Sequence, residues 1–147
     1  MVIGIIGESC TGKTTLAEKL KCLLHAEVYT GKDYLRLAKN EANAKKIFQE
    51  KLDEAVLGQH IIYVISEKEH LPLLPEKAFR ILVTADLDVI KERFASRMKG
   101  NLPVPIAAML EKKHGCFDNE AHHIHAVSGL FDLDEICASI QNMINTM

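Results

Sequence analysis

The stretch GIIGESCTGKTT, residues 4–15, decides the fold of this chain. It begins inside a continuous apolar run, Val2–Ile6, which predicts a strand buried on both faces. The run passes directly into a glycine-rich loop, and a helical pattern at 14–24 begins where the loop ends, with leucines along one side. A buried strand, a glycine-rich loop and a helix in this order predict the first unit of a parallel α/β sheet.

The chemistry of the loop is indicated by four positions that match the pattern G-x-x-x-x-G-K-[ST]: Gly7, Gly12, Lys13 and Thr14. The glycines let the backbone curl so that several N–H groups point into one cavity, where the next helix presents its positive end. The pattern predicts a phosphate-binding loop, or P-loop, in which Lys13 reaches the β- and γ-phosphates of a nucleotide and the Thr14 hydroxyl holds Mg²⁺. The predicted nucleotide-binding residues of the loop are Gly7, Glu8, Ser9, Cys10, Thr11, Gly12, Lys13, Thr14 and Thr15.

The rest of the chain alternates strands and helices without a linker or an internal repeat. Further strands are predicted at 27–30, 60–66, 79–85 and 122–128, and further helices at 33–39, 41–57, 86–98, 109–113 and from 132 onward. Asp86 is expected to cap the helix directly behind it, and Asp132 with Glu135 to form a capping pair. Pro103 and Pro105 are expected to interrupt the helical pattern. We predict a three-layer α/β P-loop fold with a five-stranded parallel sheet, helices on both faces and a single domain over 1–147.

Composition argues against several classes of protein. The chain has 147 residues, 48% of them apolar, and a net charge of −2, which gives no basic surplus for a nucleic-acid partner. No apolar run approaches the roughly 18 residues that span a membrane, and the apolar start has no basic leader of the kind that a signal peptide carries. The four cysteines have no paired spacing. We therefore expect a cytoplasmic protein with reduced thiols, and composition does not fix its oligomeric state.

Residues elsewhere in the chain narrow the choice of nucleotide and reaction. The guanine-binding pattern N-K-x-D of GTPases does not occur, so ATP is the expected nucleotide. The third predicted strand ends at Ser66, with Glu67 and Glu69 just beyond it, rather than in the acidic residues of a motor ATPase. Ligands on parallel sheets bind at the carboxyl ends of the strands. At this chain length, these features favour an ATP-dependent small-molecule kinase.

The segment behind the second predicted strand resembles the adenylate kinases and related nucleoside monophosphate kinases. YTGKDYLRLA, residues 29–38, is similar to the TGD-x-LR segment of that family, with one extra residue between Gly31 and Leu35. The resemblance implies that Thr30, Gly31 and Arg36 line the site of the phosphate acceptor.

A second stretch, ADLDVIKERFASRM at 85–98, is similar to the part of the family that leads arginines into the lid. Arg93 and Arg97 are four residues apart, hence on one helical face, where they could clamp transferring phosphates or stack on adenine. A solvated helix face is the alternative. Behind strand three the chain departs from the family, because ISEKEH replaces DGFPR and leaves Glu67 and Lys68 as substitutes. The predicted lid, 98–113, is short, as shikimate- and gluconate-type kinases of this fold tolerate.

Three of the candidate residues have structural alternatives. Asp33 could orient the acceptor hydroxyl or a Mg²⁺-bound water, or cap a helix. Arg36 could bind an anionic acceptor or form a surface ion pair, and Lys68 could hold the acceptor or be an ordinary lysine of an exposed turn. The predicted catalytic residues are Lys13, Asp33, Arg93 and Arg97, and the predicted acceptor-binding residues are Thr30, Gly31, Arg36 and Lys68.

Histidines are concentrated near the last predicted strand. His114, Cys116, His122, His123 and His125 fall within twelve residues, and zinc takes such ligands. The spacing C-x5-H-H-x-H fits no common structural zinc site, and strand alternation places His123 and His125 on the face opposite His122. Edge-strand or loop histidines are therefore the alternative.

Together these features predict transfer of a phosphoryl group from ATP, with Mg²⁺, to a small anionic acceptor such as a nucleotide or a similar metabolite. By the same resemblance, the segment after the last strand wraps around adenine, which makes Ser128 and Gly129 candidate nucleotide-binding residues. The alternative is an ATP-binding sensor or regulatory module without a small-molecule acceptor. The absence of the family's acidic residue behind strand three supports that alternative.

Overall fold

The parallel sheet places the P-loop at the carboxyl end of its central strand. The computed structural model describes residues 1–55, 59–128 and 132–145. Its strands are β1 (Val2–Ile6), β2 (Glu27–Thr30), β3 (Ile61–Ile65), β4 (Phe79–Thr84) and β5 (Ile124–Val127). They pair in the order β2-β3-β1-β4-β5, and every pair is parallel. The predicted five-stranded parallel sheet is confirmed, and the loop behind β1 lies between the carboxyl ends of its neighbours.

In the described part of the chain, α-helices connect most of the strands, and a 3₁₀ turn alone connects β3 to β4. The helices are α1 (Lys13–Leu24), α2 (Glu41–Ala55), α3 (Leu87–Arg97), α4 (Val104–Lys113) and α5 (Leu133–Asn145). Two short 3₁₀ turns, Asp33–Leu37 and Lys68–Leu73, come directly after β2 and β3. None of the helices among these residues is long and apolar enough to cross a membrane.

Apolar side chains cover both faces of the sheet and create three layers. On one face, Leu20 of α1 and Ile140 of α5 are buried against alternate residues of the central strands. On the other face, Phe48 and Leu52 of α2 are buried against the remaining residues of the same strands. β1 and β3 are buried along their whole length, as their continuous apolar runs predict for strands covered on both sides.

An aromatic cluster fixes the exit of β2. The ring of Phe48 is fully buried, and its centroid lies 4.9 Å from the centroids of both Tyr29 and Tyr63. Tyr34 stacks on Phe48 at 5.4 Å. The Tyr63 hydroxyl also donates a hydrogen bond to the carbonyl of Gly31 at 2.8 Å. Because aromatic contacts of this kind stabilise packing beyond the area they bury, the predicted acceptor segment starts from a fixed base.

Two predicted helices differ from the structure. The helix predicted at 33–39 is the shorter 3₁₀ turn Asp33–Leu37. The helix predicted at 109–113 begins earlier, at Val104, because Pro103 and Pro105 lie at its start rather than only interrupting the pattern. Proline is tolerated in the first turn of a helix, where its missing N–H leaves no intrahelical bond unmade.

The two predicted aspartate caps have different outcomes. Asp132 accepts the N–H of Asp134 at 2.9 Å, so Asp132 caps α5 as predicted. The described hydrogen bonds do not include the return bond from Glu135 that the predicted capping pair requires. Asp86 immediately precedes α3 but makes no side-chain capping bond, so that prediction is wrong.

Candidate functional site

The P-loop is pressed between the ends of β3 and β4. The N–H of Gly7 donates to the carbonyl of Ile65 at 3.1 Å. A Cβ on Gly7 would lie 2.3 Å from the carbonyl oxygen of Val83, so no side chain fits there without moving β4. Gly12 has a φ of 99°, in the left-handed region that glycine adopts at little cost. The two motif glycines are therefore required for different reasons, one for close approach and one for backbone conformation.

The loop is bonded to itself through the carbonyl of Glu8. This oxygen accepts the Thr11 hydroxyl at 2.8 Å and also accepts the ammonium of Lys13. Thr11 is fully buried, and Cys10 is buried with a φ of 65°, a conformation that residues with a side chain seldom adopt. These bonds fix the loop in a curled shape.

Lys13 brings a buried positive charge to the loop. Lys13 is 5% exposed, and burial lowers the pKa of its ammonium to about 8. The charge of Arg97 lowers this pKa further, whereas Cys10 and Glu8 act in the opposite direction. In the described part of the chain, the ammonium bonds to a carbonyl rather than to a carboxylate. A phosphate beside it would supply the missing negative charge and raise the pKa again.

A cavity of about 240 Å³ lies beside Lys13 and joins the P-loop to the exits of two other strands. Thr30 ends β2 and Ser66 comes directly after β3, and both line the cavity together with Arg97. The loop contributes Ser9, Cys10, Gly12, Lys13, Thr14 and Thr15. No Asp or Glu is among the described residues that line this space. Cations, hydroxyls and the start of a helix form its wall, which suits phosphate groups.

The Thr14 hydroxyl is suited to serve as a ligand of Mg²⁺ at this cavity. Thr14 is exposed in the first turn of α1, directly after Lys13, and lines the cavity. Mg²⁺ takes few protein ligands and completes its shell with phosphate oxygens and water. The residues present therefore fit a magnesium–nucleotide complex, with Thr14 as the residue that would hold the metal.

The two arginines of α3 have different surroundings. Nη1 of Arg93 donates to the carbonyl of Cys10 at 3.0 Å, so its contact is with the backbone of the loop. Arg97, one helical turn further on, lines the cavity, and its charge reaches Lys13. The structure thus brings both residues to the P-loop. Arg93 holds the loop itself, whereas Arg97 borders the space that the phosphates would occupy.

The first predicted acceptor residues lie at the exit of β2. Thr30 lines the cavity beside Lys13. Oδ2 of Asp33 accepts the N–H of Thr30 at 2.9 Å, so Asp33 braces the end of the strand and does not cap a helix. Gly31 lies between them with a φ of 55°.

Arg36 and Lys68 are exposed, and each already has a partner. The guanidinium of Arg36 lies 4.7 Å from the centroid of the Tyr29 ring, in a cation–π contact. The ammonium of Lys68 lies 3.8 Å from the carboxylate of Glu120. The cation–π contact holds the Arg36 guanidinium against the Tyr29 ring, whereas Lys68 is engaged in an exposed ion pair. Neither residue is among the described residues that line the cavity.

Ser128 directly follows β5, the outer strand opposite β2, and lies near the P-loop. Its N–H donates to the carbonyl of Thr84 at 2.8 Å, and its Oγ would lie 3.9 Å from a Cβ on Gly12. This places Ser128 beside the P-loop. Gly129, the second candidate of this segment, lies outside the described residues.

Two features of the site have little or no signal in the sequence. Ser66 lines the cavity, and its position directly behind the third apolar run was the available indication. The carboxylate of Glu8 lies 3.1 Å from Nδ1 of His114 and accepts the N–H of Gly115 at 3.2 Å. These partners are more than a hundred residues away in the chain, and no local pattern indicates them.

The histidines near β5 pair with other groups. In residues 1–55, 59–128 and 132–145, no three His, Cys, Asp or Glu side chains are arranged to hold a metal ion. His123 stacks on Phe79 with the ring centroids 5.0 Å apart. The prediction that His122 and His125 lie on opposite faces is wrong. β5 begins only at Ile124, so His122 precedes the strand, and its ring lies 5.7 Å from that of His125.

Comparison with solved structures defines the class of fold. The chain is similar to a provisionally assigned kinase from Chloroflexus aurantiacus, with a TM-score of 0.70, 16% identity, and coverage of 99% of this chain and 96% of that one. It is also similar to shikimate kinase from Acinetobacter baumannii, solved with shikimate, with a TM-score of 0.62, 15% identity, and coverage of 99% and 93%. A third match is the YorR protein of Bacillus subtilis, solved with phosphorylated GDP, with a TM-score of 0.61, 24% identity, and coverage of 99% and 96%. The fold is that of the small-molecule P-loop kinases.

Sequence comparison adds nothing closer. A scan against protein-family models found no match, and neither did a search of curated proteins. At identities of 24% or less, the structural likeness establishes the fold.

Proposed function

We propose that this chain transfers a phosphoryl group from ATP to a small anionic acceptor, such as a nucleotide or a similar metabolite. The observation that carries the proposal is the shared cavity, which is lined by Lys13 and Arg97 together with Thr30 and Ser66 from the ends of β2 and β3. Phosphoryl transfer requires donor and acceptor to meet in one space, and this cavity joins the two sides. We also propose that 1–147 is one catalytic domain that acts in the cytoplasm, with no nucleic acid or membrane as partner.

The P-loop residues divide the work on the donor. The backbone N–H groups of the loop cradle the phosphates, and Thr14 holds Mg²⁺, which when bound neutralises charge on the phosphate oxygens. Lys13 and Arg97 direct positive charge at the phosphoryl group as it moves, and Arg93 keeps the loop in place through the Cys10 carbonyl. Because this reaction depends mainly on positioning and electrostatics, a cationic cavity is what it requires.

The acceptor side is built around Arg36. Its guanidinium fork can bind a phosphate or a carboxylate through two parallel hydrogen bonds. Asp33 lies at the same strand end and can orient the acceptor hydroxyl, and Gly31 and Lys68 complete the proposed set of acceptor-binding residues. Among the similar structures, shikimate kinase was solved with shikimate and YorR with phosphorylated GDP. Both are small anionic molecules, which supports an acceptor of this class.

A coupled assay of ADP release tests the proposal directly. Mg²⁺ and ATP are mixed with nucleoside monophosphates, nucleosides, shikimate, gluconate and related molecules in turn. We expect one class of acceptor to raise ADP release about 100-fold or more above the water-driven rate. The Lys19→Ala variant, which removes an exposed lysine of the same helix, is expected to keep that response, whereas Lys13→Ala is expected to lose it.

An ATP-binding sensor is the second candidate function. Two residues behind β3 favour it. Ser66 stands where the resembled kinases have an acidic residue, and Glu67, the substitute next to it, already pairs with Lys113 at 3.3 Å. A sensor binds ATP but shows little acceptor-dependent turnover. Saturable ATP binding without a response to any acceptor in the screen would therefore favour this function over the first.

A further inference from the structure

Glu8 joins the P-loop to a distant part of the chain. Its side chain is 11% exposed, and its carboxylate accepts the N–H of Gly115 and lies within hydrogen-bond distance of the His114 imidazole. Both partners belong to the turn that ends α4. Hydrogen bonds to a carboxylate are stronger than those between neutral groups, so the contact of Glu8 with this turn is a strong one.

The backbone of the same residue faces the nucleotide side of the loop. Its carbonyl accepts both the Thr11 hydroxyl and the Lys13 ammonium. When Lys13 turns to a phosphate, its bond to this carbonyl is lost, while the carboxylate contacts on the other side of Glu8 can persist. Glu8 is therefore bonded to the nucleotide-binding side by its main chain and to the end of α4 by its side chain.

The turn that receives Glu8 is itself held in place. Gly115 has a φ of 80°, and a Cβ there would lie 3.0 Å from the carboxylate of Asp118. Phe117, two residues further on, is 2% exposed in the core under the sheet. The N–H that Gly115 offers to Glu8 thus has a fixed position, and a residue other than glycine would disturb it.

The helices that precede this turn, α3 and α4, also contact the loop. Arg93 of α3 donates to the Cys10 carbonyl, and Cys10 packs with Ile90 of α3 and Leu110 of α4. We call residues 87–115, which contain both helices and the start of the turn, the α3–α4 segment. It contacts the P-loop both from within α3 and at the end of α4.

We propose that Glu8 is a positioning residue that couples nucleotide binding in the P-loop to the placement of the α3–α4 segment. The coupling to nucleotide rests on the proposed kinase function, whereas the attachment itself does not. A ligand that stabilises the loop also stabilises whatever the loop is bonded to. Binding of ATP therefore slows local opening at the end of α4, and it does so through the Glu8 carboxylate.

Hydrogen exchange of the ligand-free protein tests the attachment. We expect Glu8→Ala to raise the exchange rates of amides at 110–116 about fivefold or more, because their link to the loop is lost. The matched control is Glu111→Gln, which weakens an exposed pair with Lys91 inside the segment and leaves the loop contact intact. It is expected to change these rates less than about twofold. Equal rates at 110–116 in Glu8→Ala and the unsubstituted protein would overturn the proposal.

Exchange with Mg²⁺ and ATP tests the coupling. In the unsubstituted protein, nucleotide is expected to slow exchange at both 8–15 and 110–116. In Glu8→Ala it is expected to slow exchange at 8–15 as before but much less at 110–116, where only the packing of Leu110 on Cys10 remains. Undiminished slowing at 110–116 in Glu8→Ala would contradict the coupling. Absence of slowing at 8–15 in the unsubstituted protein would instead contradict nucleotide binding, while the ligand-free comparison would still decide the attachment.

A second variant reaches the same contact from the opposite side. Gly115→Ala strains the turn and displaces its N–H without altering the carboxylate, so it is expected to reproduce the exchange pattern of Glu8→Ala. Circular dichroism establishes that each variant is folded. If Glu8→Ala does not fold, Gly115→Ala and Glu8→Gln, which keeps an acceptor for the Gly115 N–H, decide the outcome. A normal nucleotide effect at 110–116 in Gly115→Ala would then count against the proposal.

Discussion

The two sides of the candidate site are built in different ways. On the donor side, the P-loop is buried, and its shape is fixed by bonds to the Glu8 carbonyl and by contact with the end of β4. On the acceptor side, Asp33, Arg36 and Lys68 are exposed at the ends of strands. The donor side depends on a backbone shape held by internal bonds and close contacts, whereas the acceptor side depends on exposed side chains that can exchange partners.

This difference has a consequence for substitutions. A change in the P-loop removes a charge or a backbone shape that nothing nearby can replace, so its effect should be large and confined to the donor. A change on the acceptor side removes one of several surface groups, so its effect should be smaller and confined to the acceptor. Four predictions test this difference, from the largest expected effect to the smallest.

Lys13→Ala should have the largest effect. The ammonium is the buried cation of the donor side, and its removal is expected to lower kcat about 10³-fold or more, some 4 kcal/mol of transition-state stabilisation. The fold should persist, because burial opposes the charged form of Lys13 and alanine carries no such cost. ADP release and thermal unfolding measure the two effects. Near-normal turnover in a folded Lys13→Ala protein would refute the kinase proposal.

The pH dependence of ATP use is the second test. Burial lowers the pKa of Lys13 to about 8, so the ammonium of the free enzyme loses its proton as the pH rises above that value. We therefore expect kcat/KM for ATP to fall about tenfold per pH unit above pH 8, because this parameter reports the free enzyme. Bound phosphates stabilise the ammonium, so kcat should fall only at higher pH. In Cys10→Ser the fall should persist but begin at a lower pH, because Cys10 raises the pKa of Lys13. A kcat/KM that stays level from pH 7 to 9.5 in the unsubstituted protein would contradict the prediction.

The sequence carried most of the fold because its main signals are local. The continuous apolar runs at Val2–Ile6 and 60–66 predicted strands buried on both faces, and both lie at the centre of the sheet. The start of α4 was less predictable. Pro103 and Pro105 interrupt a helical pattern and also favour the first turn of a new helix, and only packing against the P-loop decides between these outcomes.

The site was predictable where one contiguous motif defines it. Positions 7–14 specify a loop whose backbone conformation is set by its own glycines, so Lys13 and Thr14 could be placed beside one cavity from sequence alone. The contact of Glu8 with His114 and Gly115 depends on tertiary folding and has no local signal. The contact of Arg36 with Tyr29 is similar, because it joins a residue of the 3₁₀ turn to a residue of the preceding strand and no sequence pattern indicates it.

Arg36 provides the third test, on the acceptor side. Arg36→Lys keeps the charge but loses the planar fork and its stacking on Tyr29, so it is not conservative at this position. We expect Arg36→Lys and Arg36→Ala to raise the KM of the acceptor about tenfold, which corresponds to about 1.4 kcal/mol. The affinity for ATP should be unchanged, because Arg36 is not part of the P-loop. A parallel loss of ATP binding would mean that the two sides are not separate.

Lys68→Ala should have the smallest effect. The ammonium is exposed and pairs with Glu120 at 3.8 Å, and surface pairs of this kind contribute at most about 1 kcal/mol. Since Lys68 already has this partner, and the carboxylate must be displaced before the lysine can bind an acceptor, we expect the acceptor KM to rise less than about threefold. Glu120→Gln frees the lysine and serves as the matched variant. If Lys68→Ala raised the acceptor KM as much as Arg36→Ala, and Glu120→Gln lowered it, the acceptor would be bound mainly behind β3, and Arg36 would lose its central place in the proposed site.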